Sequence, residues 1–204
     1  MLPSGSRNEA SIALSLYLQR FPGEQAAMTA LADQLATDPL DVFDRKNMRG
    51  HITTSAFVID VAASKMLLIH HKLYDRWLQP GGHFDGGELL WQSALREVAE
   101  ETGALQAQLH VWSGAVACPF DIDTHDIGPQ PKKEEGAHFH HDYVYLVEVD
   151  SALPLTPQTS EVFDAKWESL ALLDSLPWPR FVRIAAKLRA LGIMSSLSSA
   201  PSAQ

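Results

Sequence analysis

Apolar residues recur at helical spacing over residues 9–21, with Ile12, Ala13, Leu16 and Tyr17 on one side, until Phe21-Pro22-Gly23 breaks the pattern. A second stretch, residues 24–36, gathers Ala27, Met28, Leu31 and Leu35 and stops at Asp38-Pro39. Together they predict a helical hairpin. Two helices this short bury too little surface to stand alone, so the hairpin is expected to pack on the main domain C-terminal to it. Beyond Gly50 the pattern turns extended. Residues 55–61 and 66–70 are apolar and β-branched runs around a turn at 62–65, which predicts a β-hairpin. Trp77-Leu78-Gln79 reads as a short strand entering a glycine-rich loop at 80–87, and residues 88–102 read as a helix stopped by Gly103. Further strands are expected at 109–118, 139–149 and 162–167, with a polar loop at 127–136, and a last helix carrying several cations at 181–191. The expected layout is a helical extension at 1–48, an α/β main domain at 49–193 and a disordered Ser- and Pro-rich tail at 194–204.

Composition narrows the functional classes. Of 204 residues 46% are hydrophobic, enough for a core. Sixteen Lys and Arg against 25 Asp and Glu leave a net charge of −9, which argues against wrapping a nucleic-acid polymer or an anionic membrane. A small phosphorylated substrate is compatible with that charge if a divalent metal neutralises it. The single cysteine, Cys118, excludes an intramolecular disulfide and a multi-cysteine zinc site, and it is expected to be an inert core residue of the 109–118 strand. With no secretory leader pattern and no run of 18 apolar residues, a cytoplasmic protein without a membrane span is expected. Oligomeric state is left open, a homodimer included.

The informative segment is residues 82–104, GHFDGGELLWQSALREVAEETGA. On a helix Glu97 shares a side with Glu100 and Glu101, and like charges at those spacings repel, although by only about 0.2–0.5 kcal/mol per exposed pair. A solvated acidic face is therefore one reading. Bound Mg²⁺ or Mn²⁺, hard ions that prefer carboxylate and water oxygens, is the other, and it would also bind substrate phosphate. The complete pattern separates the two. Gly82, Glu88, Arg96, Glu97, Glu100, Glu101 and Gly103 fall in the register of GX5EX7REUXEEXGU, where U is a bulky aliphatic filled by Val98, and only Ala104 at the last U is undersized. The segment resembles the Nudix box.

That resemblance implies an α/β/α sandwich around a mixed β-sheet, here with an added N-terminal helical hairpin, and hydrolysis of a nucleoside diphosphate linked to another moiety. Leu78-Gln79-Pro80-Gly81-Gly82-His83 is similar to a bacterial Nudix subgroup of undefined substrate with the same helical extension. The resemblance makes Glu97, Glu100 and Glu101 the metal-binding glutamates and Gly81 a backbone-carbonyl ligand. Arg96 would orient the loop through Glu88, Gly82 and Gly103 would shape it, and Glu161 would be an extra ligand from outside the box. In the family, water attacks phosphorus with metal ions stabilising the charge on the phosphoryl oxygens; Glu97 or Glu101 is the expected proton acceptor. Pro119, fifteen residues after Ala104, matches a spacing seen in ADP-ribose hydrolases. Rival readings are a non-hydrolytic ligand-binding or regulatory module on the same fold, and an isoprenoid diphosphate isomerase relative. Retention of every glutamate favours the hydrolase.

A second constellation lies outside the box. Asp121, Asp123 and His125 alternate, as do His138, His140 and Asp142, so each triplet would face one side of a strand. Imidazoles and a carboxylate so placed suit substrate or a second metal; a solvated strand edge is the alternative. His83, in the glycine-rich loop, is a candidate for substrate contact or for a structural hydrogen bond.

Overall fold

The computed structural model describes residues 6–129, 134–176 and 178–194. Along the chain come α1 (Arg7–Arg20), α2 (Thr29–Thr37), β1 (Gly50–Asp60), β2 (Lys65–His71), β3 (Arg76–Leu78), β4 (Gly81–His83), α3 (Leu90–Thr102), β5 (Gln108–Leu109), β6 (Asp121–Ile127), β7 (His138–Glu148), β8 (Val162–Ser169) and α4 (Pro179–Ala190). The long parallel pair β1 and β7 forms the centre, in register from Gly50 opposite Phe139 to Ile59 opposite Glu148. Along its other edge β1 carries β4 on its first half and β2 at its end. Strand β2 continues the sheet through β3 and β8, and β7 is flanked by β6 and β5.

Helices cover both faces, which is why all eleven residues of β1 are buried. Even-numbered positions of β1, such as Ile52, Ala56 and Val58, share a core with α1, α2 and α3; odd-numbered Phe57 and Ile59 pack with Ile184 and Leu188 of α4. This is an α/β/α sandwich with a mixed sheet. Helix α4 also brings Arg180, Arg183 and Lys187 inward at three- and four-residue spacing, each onto an acid. Arg180 meets Asp142, Arg183 meets Asp121 and Asp123, and the buried Lys187 meets Asp121 and Glu24.

The hairpin helices share the core rather than sitting on it. Leu14, Tyr17, Leu31 and Leu35 pack with Leu90, Ala94 and Val98 of α3, and the Tyr143 hydroxyl of β7 donates to the Ala10 carbonyl at 3.0 Å. The second helix starts later than its apolar spacing predicts. A 3-10 turn at Pro22–Glu24 precedes α2, so Ala27 is exposed in the turn while Met28, Leu31 and Leu35 are buried. The 109–118 strand is a larger correction: only Gln108–Leu109 pairs, then the chain coils through a 3-10 turn at Val111–Ser113 and Gly114, whose φ is +67°. Val111 and Val116 are exposed there, while Trp112 stacks on Phe21 and the partly buried Leu109 and Ala117 pack against the core. Cys118 is buried just beyond the turn, not in a strand, and burial pushes its thiol up. Of the expected 127–136 loop, residues 130–133 lie outside the described residues, as do 195–204 of the expected tail, whose first residue, Met194, is buried in the α4 core. Among the described residues no helix is long and apolar enough to cross a membrane.

Candidate functional site

Helix α3 turns Leu90, Ala94 and Val98 into the core, and the same buried side carries Glu97 and Glu101. It ends at Gly103 with φ +74°, where a Cβ would come within 3.0 Å of the Thr156 backbone, so glycine satisfies both the left-handed turn and the close approach. No side chain of the residue before the helix caps it. Instead the buried Glu9 of α1 accepts the Leu90 N–H at 2.7 Å, and Gln92 accepts the Leu89 N–H at 2.8 Å. A carboxylate at a helix N-terminus satisfies an orphan donor and opposes the dipole favourably.

Strand β4 runs between β1 and the glutamates, and its glycines make that possible. A Cβ on Gly81 would lie 2.7 Å from the Thr54 carbonyl, and one on Gly82 would lie 2.6 Å from Glu97 Oε1. The Gly81 N–H donates to Glu101 Oε2 at 2.9 Å, so the group of this glycine in contact with the carboxylates is its amide, where the sequence expectation named its carbonyl as a metal ligand. Arg96 is the hub of the loop. It donates to Glu88 at 3.1 Å, to Glu97 and Glu100 at 2.9 Å each, and to the His83 carbonyl at 3.2 Å. Five donors in a rigid fork suit one arginine to this task.

Burial pushes the Glu97 carboxyl up to about 7 even against the pull of Arg96. It pushes Glu101 up to about 8, opposed by the Gly81 N–H and reinforced by the charges of Glu97 and Glu161. Among the described residues no ion pair reaches Glu101. Two carboxylates held out of water with one guanidinium between them make a site short of positive charge. The donors are all oxygens, and Gly82 leaves open the space a side chain would take from Glu97, so the residues present fit a hard divalent cation. Glu100 is half exposed, paired with Arg96, and Glu161 is exposed at the start of β8, near enough for its charge to act on both buried glutamates.

The opposite face of the sheet holds the second constellation, regrouped. His138 and His140 are buried, not on a solvated edge. Asp142 shares their side of β7, but its carboxylate is taken by Arg180 at 2.5 Å, the Ser55 hydroxyl at 2.7 Å and Thr53. The residue that joins the two histidines is His51, which the parallel register places opposite His140 and whose ring lies 4.6 Å from that of His140 and 4.8 Å from that of His138. His83 belongs to this group too. It ends β4 rather than standing in an open loop, and its Nε2 is 3.1 Å from His51 Nε2. His125 completes it, held by Asp123 at 3.1 Å. Burial, with the neighbouring imidazoles adding to it, lowers His51 to about 4 and His140 to about 2, so both rings are neutral. His51 was missed in the sequence because its partner is 89 residues away on a parallel strand; the alternation His51, Thr53, Ser55 ahead of an apolar run was the available signal.

Comparison with known proteins agrees with the motif. Residues 51–188 match the NUDIX domain, and the chain belongs to that family. Nudix hydrolase 6 of Arabidopsis thaliana is 27% identical over 138 residues, 65% of this chain and 44% of that protein. Phosphatase NudJ of Escherichia coli strain K12 is 25% identical over 126 residues, 58% of this chain and 68% of its own. The chain thus spans under half the length of the Arabidopsis relative. A Nudix-family hydrolase from Clostridium perfringens superposes with a TM-score of 0.54 at 25% identity, over 71% of this chain and 99% of that one. The E. coli dihydroneopterin triphosphate pyrophosphohydrolase matches in fold with a TM-score of 0.52 at 16% identity, over 69% and 95%. Helices α1 and α2 precede the matched range.

Proposed function

We propose that the chain is a metal-dependent pyrophosphohydrolase that cleaves a nucleoside diphosphate derivative by water attack on phosphorus. The observation that carries the reading is the convergence of Glu97 and Glu101, buried and short of positive charge, on a glycine strand that a side chain would block. Glu97, Glu100 and Glu101, with the Gly81 carbonyl, would hold Mg²⁺ or Mn²⁺, and Glu161 is the candidate for a ligand from outside the helix. When bound, such an ion neutralises phosphoryl oxygens and lowers the pKa of water. The chain's own residues do the rest. Arg96 fixes Glu97 and Glu100 and ties the loop by Glu88 and the His83 carbonyl, so the carboxylates are preorganised. Glu101, held by the Gly81 N–H, or Glu97 accepts the proton of the attacking water. The relatives that carry hydrolase and phosphatase names support the same chemistry. The partner is a small nucleotide-type molecule. Screening a panel of nucleoside diphosphate derivatives for Mg²⁺-dependent release of nucleoside monophosphate tests this; turnover of at least one is expected, and none across the panel would contradict it.

A further inference from the structure

The glutamate centre makes no use of the three imidazoles on the other face of the sheet. One nitrogen from each of His51, His138 and His140 lies within 4.8 Å of the other two. All three residues are buried, at 1%, 5% and 9% exposure. Two of their nitrogens, His51 Nδ1 and His138 Nε2, are buried without a hydrogen-bond partner. A buried polar atom left unsatisfied is destabilising, and two such atoms in one cluster call for a common occupant. His138 shows what kind. Its Nδ1 sits 2.8 Å from the Gly136 carbonyl, which fixes the proton on that nitrogen and leaves the Nε2 lone pair for a ligand. Metal-binding histidines are oriented in this way.

We propose that His51, His138 and His140 form a binding site for a divalent transition metal, with Zn²⁺ as the representative ion, separate from the glutamate centre. The donors are imidazole nitrogens with no carboxylate among them, which suits zinc and disfavours Mg²⁺. Zn–N bonds of about 2.0–2.1 Å put tetrahedral ligand nitrogens about 3.4 Å apart, so the widest pair here closes by roughly 1.4 Å on binding, within reach of side-chain rotation. Three histidines leave a fourth position for water or an anion. The remaining imidazoles brace the set: His83 stands against His51, and His125, held by Asp123, stands against His140. His83 also connects the two centres, since its carbonyl accepts from Arg96. The proposal does not rest on the pyrophosphohydrolase reading.

The test is Co²⁺ titration of the full chain with saturating Mg²⁺ present, monitored by visible absorption. One equivalent should bind with the intense bands of tetrahedral, nitrogen-bound Co²⁺, and Zn²⁺ should displace it. The spectrum should vanish in His138→Asn/His140→Asn and persist in Glu97→Gln/Glu101→Gln. Absence of binding, binding that survives the histidine pair, or loss on the glutamate pair would each overturn the proposal. Should the histidine double variant fail to fold, X-ray absorption of the Zn²⁺-loaded parent protein decides instead: three imidazoles are expected around the metal, and an oxygen-only environment overturns it.

Discussion

At Gly82 a hydrogen stands where a methyl group would lie 2.6 Å from a carboxylate oxygen of Glu97, whereas at Gly81 the same methyl would press on the Thr54 backbone at 2.7 Å. The obstacles differ in kind, one a side chain that can move and one a backbone that cannot. Gly82→Ala is therefore expected to cut turnover at least tenfold with little change in melting temperature, and Gly81→Ala to lower the melting temperature itself, checked by kinetics and thermal melts on both. Equal effects on both readouts would contradict the placement of Glu97. Glu101→Gln separates charge from shape at the same site. The amide keeps its volume and can still accept the Gly81 N–H, so turnover should fall about 100-fold or more, the scale of a catalytic group, while the metal-free melting temperature stays level or rises because a buried carboxylate is gone. That these residues would meet was readable before any fold was known, because the box they resemble sets them together, and their roles are what that resemblance implies. Asp142 was not: alternation placed it with His138 and His140, and only α4, folding back from the end of the chain, supplies the Arg180 that claims it.

Elements were legible where one period ran uninterrupted. Helix α3, strands β2, β7 and β8, and helix α4 all lie within a few residues of the expected positions. The first half of β1 was not, since Gly50 to Thr54 carries polar residues that serve the interior of a doubly covered sheet instead of an alternating surface. The 109–118 run misled in the other direction, because apolar content predicts burial only if a face of the sheet is free to receive it. The turn joining β1 to β2 offers a pH test. Asp60 accepts N–H groups of Ala63 at 2.9 Å and Ser151 at 2.8 Å. Burial opposes its ionisation, yet these donors together hold its carboxyl below the usual carboxylate range. The folded pKa thus lies under the unfolded value of about 3.9, so the stabilisation is complete above that pH and is lost as pH falls through the folded pKa. Asp60→Asn should lower the melting temperature by about 2–4 °C at pH 7, the equivalent of about 1 kcal/mol, with the difference shrinking below pH 4. A difference that persists unchanged at pH 2.5 would contradict it.

On the scale of the molecule, the N-terminal helices precede the matched domain but take part in building its site. Glu9 caps α3 from α1, and Gln34 of α2 donates to the Gly50 carbonyl at 2.6 Å and meets His141 at 2.9 Å. Removing the cap by Glu9→Ala should cost about 0.5–2 kcal/mol and speed amide exchange at Leu90 and its neighbours in the first turn of α3. Protection unchanged there would mean that the extension does not support α3. The sequence predicted a hairpin that needed a partner, but not that its first turn would carry a buried acid for another helix; a single glutamate at residue 9 has no periodicity to reveal it. The central claim, that water attacks phosphorus at the glutamate centre, is tested most directly by running the reaction in ¹⁸O-labelled water and weighing the products. One labelled oxygen in a phosphoryl product is expected with Mg²⁺ present, with no turnover after chelation by EDTA and recovery on adding the metal back. Unlabelled phosphoryl products, or full activity after exhaustive chelation, would contradict it.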